Sequence, residues 1–225
     1  TSGTTGDPKG VIISHKAAMN TILDMRERYN LNEEDIFLGL SNLSFDLSVF
    51  DIFGCYLVGG TLVLPDTSKT KDSKYLSDLI LLKRITILNG VPAQIQLIIN
   101  YMDSVVGARK NPFIRLVIMS GDWIPVNLPE KLYSLFNNVK VVSCGGATEA
   151  AIWSIAYDIK KEEVFHKSIP YGKPLANQRF YILDDKLQDC PNYVTGNIFI
   201  AGSGLAIGYL NDEVRTKEKF IILPD

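Results

Sequence analysis

Short runs rich in β-branched residues alternate along this chain with longer segments whose apolar residues fall three or four apart, and no other feature restricts the fold as much. Runs of the first kind cover 11–14, 36–40, 61–64, 86–89, 115–119 and 140–143. Between them, 16–29, 47–58, 73–82, 93–101 and 128–136 carry helical spacing, with Val49, Ile52, Phe53, Tyr56 and Leu57 as the expected apolar stripe of the second helix. Strands alternating with amphipathic helices predict an α/β fold: a mostly parallel sheet with helices on both faces, because crossover helices must bury their stripes against the sheet.

After Tyr157 the rhythm changes. The stretch 169–210 holds short strand-like runs at 179–183 and 197–201, broken by Asp184-Asp185, Pro191-Asn192 and several glycines, without a helical segment. The expectation is an α/β core over 1–160, followed over 161–225 by part of a small β-rich subdomain, a distorted barrel. With 225 residues, 46% of them hydrophobic and 21% charged, the chain can bury a substantial core.

The formal charge of -2 lacks the clustered lysine and arginine that nucleic acid requires, so a nucleic-acid partner is not expected. No apolar run approaches the ~20 residues of a bilayer span, and the start lacks the pattern of a signal peptide, so no membrane partner is expected. Cys55, Cys144 and Cys190 lie far apart, without zinc or disulfide spacing, which fits a reducing cytoplasm. The chain opens without Met inside a glycine-rich motif and closes on an apolar run, and so reads as a fragment.

That opening motif, Thr1-Ser2-Gly3-Thr4-Thr5-Gly6-Asp7-Pro8-Lys9-Gly10, sets hydroxyls, glycines and one lysine immediately before a strand. Glycines let successive N–H groups converge on an anion, hydroxyls add donors, and lysine supplies the compensating charge. A Walker P-loop would need Gly-Lys-Ser/Thr ahead of a helix, whereas here Lys9 precedes Gly10 and a strand; an ordinary polar loop is the other alternative.

The string resembles the phosphate-binding loop of the adenylate-forming enzymes, a superfamily that includes acyl-CoA synthetases, luciferases and the adenylation domains of nonribosomal peptide synthetases. The resemblance continues at Leu43-Ser44-Phe45-Asp46-Leu47-Ser48, similar to the amino-acid-anchoring motif, and at Gly145-Gly146-Ala147-Thr148-Glu149, similar to the adenine and magnesium motif. The run 195–210 is similar to a glycine-rich strand pair further along these domains. Independently of it, the polar segments 43–48, 89–92, 120–123 and 143–149 each follow an expected parallel strand, where open α/β sheets bind ligands, and are expected to face one crevice.

The resemblance implies roles for particular residues. Thr1 to Gly6 and Lys9 would bind the phosphates of ATP together with Gly145, Gly146, Ala147 and Thr148, with Lys9, Thr148 and Glu149 as catalytic residues. Glu149 would hold Mg2+, a hard cation that takes carboxylate oxygen; otherwise it is an acid favoured by a helix N-terminus. Where the commoner pattern has an aromatic residue and then Gly-Pro, this chain has Gly145, Gly146 and Ala147, so an expected adenine-stacking ring is missing. Asp46 would pair with the substrate's α-amino group, as a buried ammonium requires; otherwise it caps the following helix.

Carried over by position, the substrate pocket comprises Asp46, Leu47, Phe50, Asn89, Ile118, Ser120, Cys144, Ile152 and Trp153. No lysine, arginine or second acid is among them to pair with a charged side chain, and the set resembles that of cysteine-activating domains. Each apolar member is equally expected in an ordinary core, and Cys144 after an apolar strand reads as buried and inert. His15 and His166 lack partners at catalytic or metal-ligand spacing and are assigned no role.

The implied activity is ATP-dependent formation of an aminoacyl adenylate, then transfer to the phosphopantetheine thiol of a carrier protein beside condensation or cyclisation domains of one synthetase. The family also uses a lysine on a small C-terminal subdomain, which does not appear in this chain, so the fragment alone is expected to be inactive. The alternatives are an acyl-CoA or aryl-CoA ligase of the same superfamily, which needs no ammonium anchor, and a non-catalytic nucleotide-binding or scaffold module.

Overall fold

The computed structural model describes residues 9–106 and 113–222. In chain order the elements are β1 (Val11–Ile12), α1 (His15–Tyr29), β2 (Ile36–Leu38), α2 (Leu47–Val49), a π-turn (Phe50–Gly54), α3 (Cys55–Val58), β3 (Thr61–Val63), α4 (Ser73–Lys83), β4 (Ile87–Gly90) and α5 (Pro92–Val106). Then come β5 (Leu116–Met119), α6 (Leu128–Leu135), β6 (Lys140–Gly145), a 3-10 turn (Thr148–Ala150), β7 (Ile155–Ile159), β8 (Lys173–Pro174), β9 (Gln178–Leu183), β10 (Asn197–Gly202), β11 (Gly208–Tyr209) and α7 (Glu213–Lys219). Among the described residues no helix is long and apolar enough to cross a membrane.

The chain divides into two compact units. The larger comprises 22–145 and 155–173; the smaller joins 146–154 to the described parts of 1–21 and 174–225. The division therefore does not follow a single cut near residue 160, because β1 is drawn to β11 at the other end of the chain.

The larger unit is built on a seven-stranded sheet in the order β3-β2-β4-β5-β6-β7-β8. The first five strands of that order are parallel, and β7 runs antiparallel to β6. The α/β class expected from the alternation is the one observed. Leu38, Leu88, Val117, Met119 and Val141 point to one face, where they join Leu76 and Ile80 of α4, Ile95 and Ile99 of α5, and Leu128 and Leu132 of α6 in one buried cluster. The other face is also covered: Phe37 meets Phe50 at 6.0 Å between ring centroids, and Tyr29 of α1 donates to Asp158 of β7 at 2.7 Å. At the amino ends of the strands the buried Asp35 accepts from Arg115 Nε at 2.7 Å and from the Thr86 hydroxyl at 2.9 Å, tying three strand entries together.

Three expectations are corrected. The run 11–14 does form a strand, but it pairs antiparallel with β11 in a separate two-stranded sheet instead of joining the parallel one. The strand β7 was not foreseen; it follows β6 without an intervening helix, so the βα rhythm gives no sign of it. Within 47–58 the buried face is not the apolar stripe. Leu47, Ser48, Phe50, Asp51, Gly54 and Cys55 are buried, while Phe53 and Tyr56 are 50% and 78% exposed. Half of the buried positions are polar or glycine, so hydrophobic periodicity selects the wrong side.

In the smaller unit, β9 and β10 form an antiparallel pair from Gln178↔Gly202 to Leu183↔Asn197. The helix α7 is capped by Asp212, whose carboxylate accepts from the Arg215 amide at 3.0 Å.

Candidate functional site

Parallel strands place their carboxyl ends at one edge, and register decides which side chains share a face there. In the larger unit Asn89 pairs with Ile118, and Ile118 with Val142. Because side chains alternate along a strand, Ser120 and Cys144 fall on that same face. Asn89, Ile118, Ser120 and Cys144, expected at the substrate pocket, are therefore brought to one face of one sheet edge, all buried. Burial pushes the Cys144 thiol far above its ordinary range, with Asp158 and Asp24 raising it further against Arg28, so it stays protonated.

The helical segment after β2 packs on this face. Asp46 precedes α2 in a helical conformation and makes no side-chain cap hydrogen bond, which removes the alternative reading of it as a helix cap. Leu47 and Phe50 are both buried. Asn89 Nδ2 donates to the Leu47 carbonyl at 3.3 Å and to Asp51 Oδ1 at 2.9 Å. Asp51 sits in the π-turn, from which its carboxyl meets Asn89 of β4. Burial raises its pKa to about 7, opposed by the hydrogen bonds from Asn89 and the Ser41 backbone. Asp51 Oδ2 and Asn89 Oδ1 are buried without a hydrogen-bond partner.

The smaller unit holds Thr148 and Glu149, the pair expected at the magnesium motif. Glu149 lies half-buried in the 3-10 turn and accepts from the Tyr209 hydroxyl at 2.6 Å; its backbone carbonyl accepts from the Ala206 amide at 2.8 Å. Tyr209 belongs to β11 and pairs with Val11, two residues after Lys9, and the Leu210 amide donates to the Gly10 carbonyl at 2.9 Å. The strand that continues from the opening loop and the turn that carries Glu149 are thus joined through Tyr209. Its phenol pKa is pushed well above the ordinary value, first by burial and then by the bond to Glu149, so the group is a donor.

Beyond the turn, Ala151 and Ile152 take φ of 54° and 72°, a left-handed pair that strains a β-branched residue. The buried Thr21 hydroxyl holds it, its one proton shared between the carbonyls of Ala151 at 2.9 Å and Trp153 at 3.2 Å, and Gln178 Nε2 donates to the latter at 3.2 Å. Ile152 and Trp153 are buried here.

Of the expected phosphate contacts, Thr1, Ser2, Gly3, Thr4, Thr5 and Gly6 lie outside the described residues. Gly145 ends β6 in the larger unit, and Gly146, Ala147 and Thr148 open the 146–154 segment of the smaller. Among the described residues no three histidine, cysteine or acidic groups cluster for a metal. A single carboxylate completed by phosphate oxygens and water suits magnesium, which keeps several waters, and the donor set at Glu149 fits that requirement. Sequence reasoning passed over Asp51, Thr21 and Tyr209. Only Asp51 left a signal, as an acid inside an otherwise apolar helical stretch.

Comparison with known proteins finds a family and close structural neighbours for the chain. The family described as AMP-binding enzyme matches residues 1–210. Bacitracin synthase 1 of Bacillus licheniformis is 47% identical over 98% of this chain, which spans 4% of that protein. Pyochelin synthetase PchF of Pseudomonas aeruginosa is 46% identical over 100% of the chain, which spans 12% of it. Among solved structures, the nonribosomal peptide synthetase FmoA3 in its alpha-methyl-L-serine-AMP bound form superposes with a TM-score of 0.92 at 39% identity, covering 98% of this chain and 25% of that one.

Proposed function

The chain belongs to the AMP-binding enzyme family, and on that premise we propose that it is part of an adenylation domain of a nonribosomal peptide synthetase, activating an amino acid, cysteine by the lining of its pocket, as the aminoacyl adenylate. The observation that supports this most is the Tyr209 link, which joins Glu149 to the strand leaving the phosphate loop. A triphosphate gripped by that loop would need its metal ligand in the same unit, and Glu149 is there.

In this reading Asp46 receives the substrate's ammonium group, which orients the carboxylate for in-line attack on the α-phosphorus; pyrophosphate leaves. Lys9 and Thr148 hold phosphate oxygens as charge shifts onto the leaving group. Glu149 would hold magnesium, which would supply charge neutralisation on the phosphates. Asn89, Ser120 and the protonated Cys144 give the pocket a weakly polar floor suited to a small side chain such as a thiol. The adenylate then passes to the phosphopantetheine thiol of a carrier domain in the same synthetase, with condensation or cyclisation domains as neighbours.

The test is ATP–pyrophosphate exchange by the full-length protein across the proteinogenic amino acids. Cysteine is expected to give the strongest exchange, and Asp46→Ala to abolish it. Preference for a charged or bulky aromatic amino acid would refute the pocket assignment, and undiminished exchange in Asp46→Ala would refute the ammonium anchor.

A further inference from the structure

Gly145, the last residue of β6, is buried, and the space its side chain would fill is occupied by Tyr171. A Cβ built at position 145 would lie 2.1 Å from Tyr171 Cε2 and 2.5 Å from Cζ, so the ring sits directly on the glycine. The chain reaches this position because of Gly172. That residue adopts φ of 110° and packs so closely on β7 that a Cβ there would fall 2.1 Å from the Ala156 carbonyl oxygen. Ala156 pairs with Cys144, and Gly145 is the next residue of β6, so the backbone at 172 delivers the side chain of 171 to the strand end. The ring remains 47% exposed.

We propose that Tyr171 is the purine-stacking ring of the nucleotide site, supplied from the segment before β8 in place of an aromatic side chain at position 145. The inference rests on the adenylation reading above and deepens it. A half-exposed aromatic fixed by backbone beneath it, at the carboxyl end of a parallel strand, is the platform on which a base stacks. Gly145 is the complement of Tyr171: only without a side chain at 145 does the ring fit, and only with the ring does the site regain an aromatic surface. The hydroxyl plays no part in stacking, so phenylalanine would serve equally.

The experiment uses Tyr171→Ala, Tyr171→Leu, Tyr171→Phe and the double variant Gly145→Tyr with Tyr171→Ala in the full-length protein. Tyr171→Ala and Tyr171→Leu are expected to raise the KM for ATP by roughly 10-fold or more while the amino-acid KM is unchanged, and Tyr171→Phe to stay near wild type. The double variant moves a ring to the position that Tyr171 vacates, and is expected to recover most of the ATP affinity. Equilibrium titration with a non-hydrolysable ATP analogue and with inorganic tripolyphosphate separates base from phosphate: the loss should be confined to the nucleotide. If Tyr171→Ala does not fold, Tyr171→Leu, which keeps the bulk, decides. A folded Tyr171→Leu that binds the analogue as wild type does overturns the proposal. Absence of amino-acid-dependent exchange in the wild type would instead sink the adenylation reading, and the titration would still decide whether Tyr171 holds a purine.

Discussion

The Tyr209 hydroxyl donates to Glu149 Oε1 at 2.6 Å, from a strand residue paired with Val11 just beyond the opening loop. One carboxylate oxygen is thereby held, and in the proposed magnesium role of Glu149 the other would serve the cation. Hydrogen bonds that orient a metal ligand are typically worth 10–100-fold in metal affinity. Tyr209→Phe keeps the ring and deletes only this bond. The magnesium concentration giving half-maximal pyrophosphate exchange is expected to rise about 10-fold, with a stability change of only about 1 kcal/mol. An unchanged magnesium titration would show that the bond is structural alone.

How far the sequence disclosed this molecule depends on which physical signal each part left. The parallel strands were readable because both their faces are buried, which makes 116–119 a continuous apolar run and opens 87–90 with Ile87 and Leu88. The polar segments after them were readable as a ligand edge for the same reason. The packing of 47–58 was not, since Ser48, Asp51 and Gly54 occupy the buried face and Phe53 and Tyr56 the exposed one. The ring of Tyr171 on Gly145 was equally hidden: a glycine near the end of a strand says nothing of which distant side chain will cover it. The pairing of β1 with β11 joins residues from opposite ends of the chain, beyond the reach of any local pattern.

Asp51 gives a pH dependence whose sign follows from its burial. Its carboxyl has an ordinary value of 3.8, raised to about 7 in the folded protein. Between those values the folded state keeps a proton that the unfolded state has released, so stability falls as pH rises through the window and levels above it. Asp51→Asn retains an acceptor for Asn89 and carries no charge. It is expected to remove the slope and to stabilise the domain at pH 8 by on the order of 2–4 kcal/mol, with little effect at pH 4. Denaturant midpoints of the two proteins across that range make the comparison; parallel curves would mean that Asp51 does not titrate there.

The left-handed pair at Ala151 and Ile152 follows directly on the Thr-Glu turn, and the Thr21 hydroxyl is what binds the carbonyls on either side of Ile152. The Trp153 carbonyl keeps a second donor in Gln178 and the Ala151 carbonyl keeps the Trp153 amide at 2.9 Å, so Thr21→Val takes one donor from two acceptors that each retain another, at about the same side-chain volume. The expected cost is about 1 kcal/mol, concentrated in 148–154. Because that segment carries both Thr148 and Glu149, the loss should appear in function as well as in stability: faster amide exchange across the turn together with a raised KM for magnesium-ATP. Thr21→Ser, which retains the hydroxyl donor and lacks only the methyl group, should restore the kinetics even if it does not restore the full melting temperature. Equal kinetic impairment in the serine and valine variants would place the contribution of Thr21 in packing, and would separate the strained turn from Thr148 and Glu149 beside it.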